Sequence, residues 1–155
     1  MKHGNKISFD FHGVINQAPD FFKSLADEAR AQENLIYIVS GGPREYIKEY
    51  LSAHGFQYDV LWCIFDYFDA KEKIEVAADG SFHIDDEAWN AAKGKYCAVQ
   101  DIAIHIDDSP IYGRYFTTPY ARFDVLTKIL HYGTQNVSIL QSPADVWKKI
   151  QAWRR

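Results

Sequence analysis

The sequence lacks the features that mark several special classes of protein. Its two cysteines, Cys63 and Cys97, are too few for a disulfide framework, and both lie among apolar residues, which predicts reduced thiols in the core. No apolar run reaches the roughly 18 residues of a membrane-spanning helix, so no membrane partner is expected. The N-terminal residues contain no apolar stretch of signal-peptide length, and a cytoplasmic location is the resulting expectation.

An excess of positive charge is also missing. The formal net charge is −4, so the composition gives no electrostatic reason to expect binding to nucleic acid or to an anionic membrane. The remaining composition is typical of a globular protein, with 47% hydrophobic and 25% charged residues in a chain of 155. This length predicts a single domain, 1–155, that is large enough to bury a core.

Short β-rich runs alternate with helical patterns along the chain. The predicted strands are 7–11, 35–39, 60–65, 102–106 and 137–140. Three helix starts are marked by Pro19, by Pro43 (with Gly55 ending that helix) and by the capping-box sequence "SPAD" at 142–145. This alternation predicts an α/β, three-layer, Rossmann-like domain with a central, mainly parallel sheet of about five strands and helices on both faces.

The segment 66–92 has the least regular pattern. It contains "ADGSF", which is typical of a hairpin turn between two short strands. We therefore expect a small inserted flap within 66–92, and no linker or second domain elsewhere.

Polar residues follow three of the predicted strands at the point where each strand ends. Asp10 ends the first strand, Ser40-Gly41-Gly42 follows the second, and Asp107-Asp108 follows the fourth. In open α/β sheets, ligands bind at the carboxyl ends of the strands. The three clusters are therefore expected to form one site at one edge of the sheet.

Two strand-end acids side by side need a positive partner. Asp10 and Asp107 would repel each other unless a cation lay between them, and carboxylate oxygens with an open coordination sphere suit Mg²⁺. The alternative is that each acid caps the helix that follows it. Two such acids together with "SGG" favour the metal site over two unrelated caps.

The same edge offers partners for an anion. In "VSGGP" a serine hydroxyl and successive backbone amides precede a helix, and together they form a small anion cradle in which glycine allows close approach. In "WNAAKGKYC" either Lys93 or Lys95 is available to balance the negative charges. Each of these signals is weak alone.

Taken in order, the four segments resemble the motifs of the haloacid dehalogenase superfamily of hydrolases. "ISFDFHGVI" is similar to the first motif, a strand leading into Asp-x-Asp-Gly, and "IYIVSGG" is similar to the second, a strand ending in Ser or Thr. Lys93 matches the third motif and "IAIHIDDS" the acidic fourth. Residues 111–155 carry no signature of this family.

The resemblance implies a mechanism of phosphomonoester hydrolysis. Asp10 is the implied nucleophile, which forms an aspartyl-phosphate that water then hydrolyses. The implied Mg²⁺ site comprises Asp10, the backbone carbonyl of His12, Asp107 and, through water or as an outer partner, Asp108. The implied phosphate-binding groups are Ser40, Gly41 and Lys93, the last also paired with Asp10.

His12 is the largest departure from the family pattern. In the family's phosphatases the residue two after the nucleophile is an aspartate that protonates the leaving oxygen and then deprotonates the attacking water. An imidazole can perform both steps, but its reach and its charge when protonated differ from those of a carboxylate. The expected function is therefore a Mg²⁺-dependent phosphohydrolase with His12 as acid and base. The alternative is a catalytically slow or inactive protein of the same type that binds phosphate and metal.

Other residues leave more than one interpretation open. His105 alternates with isoleucines, and a hydrogen-bonded histidine inside the sheet is favoured over a site residue. Aromatic residues late in the chain suit an interface in a homo-oligomer, a stacking platform or plain core packing: Tyr112, Tyr115, Phe116 and Tyr120. The short spacings around the motifs leave no room for a large lid over the site.

Three related activities fit the sequence less well. Dehalogenation needs no metal, so Asp107-Asp108 would be unexplained. The glycine-rich loop of P-loop kinases is absent. A receiver domain needs its acidic pair after the first strand, whereas here the pair follows the fourth.

Overall fold

The computed structural model describes residues 4–71, 74–76, 78–79 and 82–153. Its strands are β1 (Lys6–Phe9), β2 (Leu35–Ser40), β3 (Val60–Cys63), β4 (Glu75–Val76), β5 (Phe82–His83), β6 (Ile102–Asp107), β7 (Tyr120–Asp124), β8 (Ile129–Tyr132) and β9 (Gln135–Ser138). Its α-helices are α1 (Pro19–Ala31), α2 (Arg44–Ala53), α3 (Ile64–Ala70), α4 (Asp86–Gln100) and α5 (Pro143–Trp153). Two 3₁₀ helices span Ile15–Gln17 and Tyr112–Tyr115.

One mixed sheet forms the centre of the protein. Its strand order is β3-β2-β1-β6-β7-β8-β9, with parallel pairing from β3 to β7 and antiparallel pairing between β7, β8 and β9. β1 and β6 lie side by side at the middle of the parallel part, although more than 90 residues separate them in the chain. This neighbourhood brings the two acidic strand ends together.

Helices cover both faces of the sheet, as the α/β expectation requires. Helices α1, α2 and α5 pack on one face against Ile7, Phe9, Ile104 and Ile106. Helix α4 packs on the other face, where Tyr37, Val39 and Cys97 form a second cluster, and α3 joins it through Ile64 and Phe68. Alternation along β1 and β6 therefore sends aliphatic side chains to one face and leaves Ser8, His105 and Asp107 on the face that α4 covers.

The sheet is larger than expected and partly antiparallel, which corrects the prediction of about five strands. Strands β7 and β8 were not predicted, because "YARFD" and "ILHY" are short and follow aromatic and turn residues instead of a clear alternating pattern. The predicted strand 137–140 corresponds to β9, which is the antiparallel edge. The predicted strand 60–65 ends at Cys63, since Ile64 and Phe65 begin α3.

The predicted helix boundaries are close to those observed. Pro19 is the first residue of α1, Pro43 immediately precedes α2, and Gly55 follows α2 with a φ of 64°. The amide of Asp145 donates to the Ser142 hydroxyl at 3.2 Å, which is the capping contact expected at the start of α5.

The segment 66–92 is only partly an insertion. Helix α3 continues to Ala70 and α4 begins at Asp86, so the region between them is shorter than the predicted flap. Strands β4 and β5 pair there as an antiparallel two-stranded sheet. The turn expected at "ADGSF" falls partly outside the described residues.

Both cysteines are buried and free, as predicted. Burial raises the pKa of Cys63 to about 11 and that of Cys97 to about 12, so both remain thiols at neutral pH. In the described parts of the chain, no helix combines the length and apolar character needed to cross a bilayer.

Candidate functional site

Two acidic side chains from neighbouring strands meet at the carboxyl edge of the sheet. Asp10 directly follows β1, and Asp107 is the last residue of β6. The Asp10 amide donates to the Ile106 carbonyl at 2.8 Å, which holds the end of β1 against β6. Carboxylate oxygens of Asp10, Asp107 and Asp108 lie within 4.8 Å of one another. The structure thus brings these three predicted residues together.

Lys93 supplies the positive charge at this edge. Its Nζ lies 3.1 Å from Oδ1 of Asp10 and 2.8 Å from Oδ2 of Asp107, and the residue is 1% exposed. Lys95 is exposed, so the choice between the two lysines is settled in favour of Lys93. Helix α4 can come this close to its neighbours because residue 94 is glycine, where a Cβ would overlap the Tyr115 carbonyl.

A buried hydrogen-bonded chain extends from Asp107 into β1. Nε2 of His105 lies 2.9 Å from Oδ2 of Asp107, and Nδ1 lies 2.6 Å from the Ser8 hydroxyl. Burial lowers the pKa of His105, so the neutral ring carries its proton on Nε2, donates to Asp107 and accepts from Ser8. His105 is therefore a hydrogen-bonded histidine within the sheet, as favoured, and it also orients a site residue.

Burial and charge act in opposite directions on this cluster. Desolvation raises the pKa of Asp10 to about 7 against the opposing effect of Lys93, and Asp107 adds to the increase. Desolvation would also raise the pKa of Asp107, but Lys93 and His105 outweigh it and hold that pKa well below its usual range. The pKa of Lys93 is raised, because its two carboxylate partners outweigh the desolvation that would lower it. At neutral pH, Asp107 and Lys93 are therefore charged, and Asp10 is partly protonated.

The loop after β2 lies beside these groups. The Ser40 hydroxyl is fully buried and has no hydrogen-bond partner among the described residues. The Phe65 amide donates to the Gly41 carbonyl at 3.2 Å, which ties the loop to the start of α3. Gly42 has a φ of 116°, a conformation that favours glycine. An unpaired buried hydroxyl is costly, and a phosphoryl oxygen is the kind of partner that would satisfy it.

His12 lines the same cavity and is exposed to solvent. Its Nε2 is 3.1 Å from the Gly42 carbonyl. Because a carbonyl can only accept, Nε2 carries a proton, and Nδ1 is the atom left to exchange a proton with a ligand. The Phe11 ring packs edge-on against the imidazole at 4.9 Å between centroids.

Asp108 is held close to the loop after β1. A Cβ at Gly13 would overlap the Asp108 carboxylate, and Gly13 has a φ of 87°. Residue 13 therefore has to be glycine for both conformational and steric reasons. The pKa of Asp108 is raised by partial burial and by the adjacent Asp107.

These groups face a cavity of about 830 Å³. Asp10, Ser40, Gly41, Lys93 and Asp108 contribute its polar part, and His12 lies at the same wall. Asp107 does not line the cavity but lies behind neighbouring residues that do. Every predicted site residue thus lies in or directly behind one cavity.

Sequence reasoning missed most of the apolar wall of this cavity, which is formed by Phe65, Trp89, Ile111 and Tyr112. Only Tyr112 was singled out, as one of four aromatic residues with open roles. Phe116 instead stacks on His105 at 5.0 Å, and the Tyr120 hydroxyl donates to the Ser109 carbonyl. Trp89 lies inside the irregular segment 66–92, and no spacing in the sequence indicates that it faces the site.

The donor set fits a divalent metal ion. Three carboxylates converge within reach of a single ion, and one ammonium offsets only part of their charge. Hard oxygen ligands without sulfur or imidazole nitrogen in the group are what Mg²⁺ prefers. The fit rests on the chemistry of these carboxylates.

Comparison with models of known protein families gives no match, and no curated protein matches the sequence.

Proposed function

We propose that the protein is a Mg²⁺-dependent phosphohydrolase that hydrolyses a phosphomonoester through an aspartyl-phosphate on Asp10. The observation that carries the proposal is the convergence of Asp10, Asp107 and Asp108 within 4.8 Å, with Lys93 buried between the first two. Asp10 also lines a large cavity, and burial raises its pKa to about 7, a combination that is typical of functional residues.

The residues support each part of the reaction. A carboxylate oxygen of Asp10 attacks phosphorus as the bond from phosphorus to the leaving oxygen breaks, and His12 Nδ1 gives that oxygen a proton. Water then attacks the aspartyl-phosphate and loses a proton to His12, which releases phosphate and restores Asp10. Lys93 and the Ser40 hydroxyl stabilise the phosphoryl oxygens during both steps.

Mg²⁺ would be held by Asp10, Asp107, Asp108 and the backbone carbonyl of His12, and when bound it would neutralise charge on the phosphoryl group. Asp107 is prepared for this role, because its hydrogen bond with His105 and the amide of Ser109 at 3.1 Å fix both of its oxygens.

A second candidate is a slow or inactive protein that binds phosphate and metal at the same site. The exposed position of His12 favours it, because an acid–base group in open solvent is less firmly positioned than a buried one. General acid–base catalysis accelerates a reaction by about a hundred- to ten-thousand-fold. A protein in which His12 does not supply this catalysis would therefore turn over far more slowly than one in which it does, and the rate separates the two candidates.

Hydrolysis of p-nitrophenyl phosphate with and without Mg²⁺ tests the proposal. We expect metal-dependent turnover that Asp10→Asn abolishes, while the circular dichroism spectrum of the variant stays that of the wild type. Asp20→Asn, on the exposed side of α1, is the matched control and should turn over normally. Absence of Mg²⁺-dependent turnover between about pH 5 and 9, with Mg²⁺ still bound, would favour the second candidate.

A further inference from the structure

The cavity is much larger than the phosphate site needs. Its volume of about 830 Å³ lies within the roughly 300–1,000 Å³ of sites that enclose a whole small molecule. Besides the polar groups around Asp10 and Lys93, the lining includes the large apolar and aromatic side chains of Phe65, Trp89, Ile111 and Tyr112. The cavity therefore holds space for the group that carries the phosphate.

Aromatic rings form the wall of that space. Trp89 and Tyr112 come from two elements, α4 and the 3₁₀ helix Tyr112–Tyr115, and the Trp89 indole N–H donates to the Tyr112 hydroxyl at 3.1 Å. The close contact between Gly94 and Tyr115 locks the same two elements together. The wall is thus rigid, and because the Tyr112 hydroxyl accepts from Trp89, its own proton is available to a ligand.

This aromatic wall begins directly beside the phosphate cradle. A Cβ at Gly41 would lie 3.1 Å from Cζ2 of Trp89, and Lys93 Nζ lies 4.5 Å from the centre of the Tyr112 ring. An aromatic ring on a substrate would therefore meet Trp89 if it were attached to the phosphate itself, without several atoms between them.

His12 supports the same chemistry. An aryl phosphate releases a phenol, whose pKa is about 10, whereas an alkyl phosphate releases an alcohol nearly as weakly acidic as water, at about 15.7. A phenolate leaves with little help from an acid. An aryl phosphate therefore depends less than an alkyl phosphate on proton donation from His12, whose exposed imidazole can reach a ligand only through Nδ1.

We propose that the substrate class is the aryl phosphomonoesters, in which the phosphate is bonded directly to a planar aromatic ring that packs against Trp89 and Tyr112. This inference rests on the proposed function, since it places the ester's phosphate at Asp10. The reaction consumes water and yields a phenol and inorganic phosphate.

The test uses phosphonates, which cannot be hydrolysed, so that leaving-group reactivity does not enter. Binding of phenylphosphonate, methylphosphonate and the non-hydrolysable phosphonate analogue of a nucleoside 5′-monophosphate (the nucleotide) to the Mg²⁺-loaded protein is measured by calorimetry. We expect phenylphosphonate to bind at least about tenfold more tightly than methylphosphonate, and more tightly than the nucleotide, whose ring is separated from its phosphate by ribose.

Variants assign the preference to the wall. Trp89→Leu keeps an apolar side chain but removes the ring and should reduce the phenyl preference to about threefold or less, while Trp89→Phe should restore most of it. Tyr67→Leu, which removes an exposed ring of α3 outside the cavity, should leave the preference unchanged. The affinity for methylphosphonate should stay the same in all three variants.

Equal binding of the two phosphonates to the wild type would overturn the inference, as would tighter binding of the nucleotide or an undiminished preference in Trp89→Leu. These results are independent of turnover. A phenyl preference without hydrolysis would leave the substrate pocket as inferred and remove the proposed catalytic function.

Discussion

Replacement of Lys93 by methionine removes the ammonium group that lies between Asp10 and Asp107. The lysine and methionine side chains have similar lengths, so the substitution removes mainly the positive charge and its hydrogen bonds. Lys93 is 1% exposed and contacts both acids within 3.1 Å, so its ammonium group is the direct partner of both carboxylates. We expect a large loss of stability whose size depends on pH and on Mg²⁺.

The magnitude follows from the spacing of the carboxylates. At 4.8 Å, the upper limit of this spacing, and an effective dielectric constant of about 20, two unit charges repel by roughly 3.5 kcal/mol. Breaking a buried ion pair costs about 3–5 kcal/mol by general experience, which agrees. Lys93→Met should therefore lower the free energy of unfolding by about 3–5 kcal/mol where both acids are ionised.

The loss should be smaller in acid. The lowered pKa of Asp107 contributes stability that is present above its unfolded value, about 3.9, and this contribution disappears with the lysine. Without Lys93 the folded pKa values of both acids rise, and an acid with a raised folded pKa destabilises increasingly as pH climbs from the unfolded to the folded value. The additional loss from Asp107 therefore grows from acid pH upward. The additional loss from Asp10 grows above about pH 7, its folded pKa in the wild type, because below that pH Asp10 is largely protonated in both proteins.

Magnesium should reverse part of the loss. With three carboxylates and no ammonium, the variant site should bind Mg²⁺ more tightly than the wild type. Each tenfold gain in affinity returns about 1.4 kcal/mol of stability at saturating metal. The difference between variant and wild type should therefore be smaller in about 10 mM Mg²⁺ than in EDTA.

Urea unfolding followed by tryptophan fluorescence measures the free energy of unfolding at low and high pH, each with Mg²⁺ or with EDTA. The chain contains four tryptophans as probes. Lys95→Met is the matched control, because Lys95 lies on the same helix but is exposed, and it should change stability by no more than about 0.5 kcal/mol. A loss for Lys93→Met equal to that of the control, or one indifferent to both pH and Mg²⁺, would refute the proposed electrostatics of the site.

Two further variants test the loop after β1. Gly13→Ala should cost at least about 1 kcal/mol from its φ of 87° and should weaken Mg²⁺ binding in calorimetry, because its Cβ displaces the Asp108 carboxylate; unchanged Mg²⁺ affinity would remove Asp108 from the metal site. His12→Ala should reduce kcat on an alkyl phosphate about a hundredfold or more with a smaller effect on an aryl phosphate, and His12→Asp should retain or raise activity. If His12→Ala matches the wild type on both substrates at every pH, the imidazole has no part in catalysis.

The parallel half of the fold was predictable because its strands are apolar runs that end in polar residues. Rules for parallel sheets then place Asp10, Ser40 and Asp107 at one edge. The antiparallel extension was not predictable, since β7 and β8 are four or five residues long and half-buried, and their pattern resembles that of a loop.

Within the site, the charged residues were predictable and the aromatic wall was not. Lys93 could be chosen over Lys95 only from its similarity to a family motif, and the structure confirms its inward position. Trp89 is placed by the packing of α4 against the segment around Tyr112, which depends on contacts between residues distant in the chain. The hydrogen-bonded chain from Ser8 through His105 is likewise a product of strand register, with Ser8 directly beside His105.

The charge of the site and its burial together favour a divalent ion as the occupant that we propose. Asp10, Asp107 and Asp108 with Lys93 carry two net negative charges when all are ionised. Burial, with a smaller contribution from Asp107, raises the pKa of Asp10 to about 7, which favours its protonated form when no metal is bound. A dication at the proposed site would offset both negative charges and favour the ionised form of Asp10, which is the form that the proposed reaction needs.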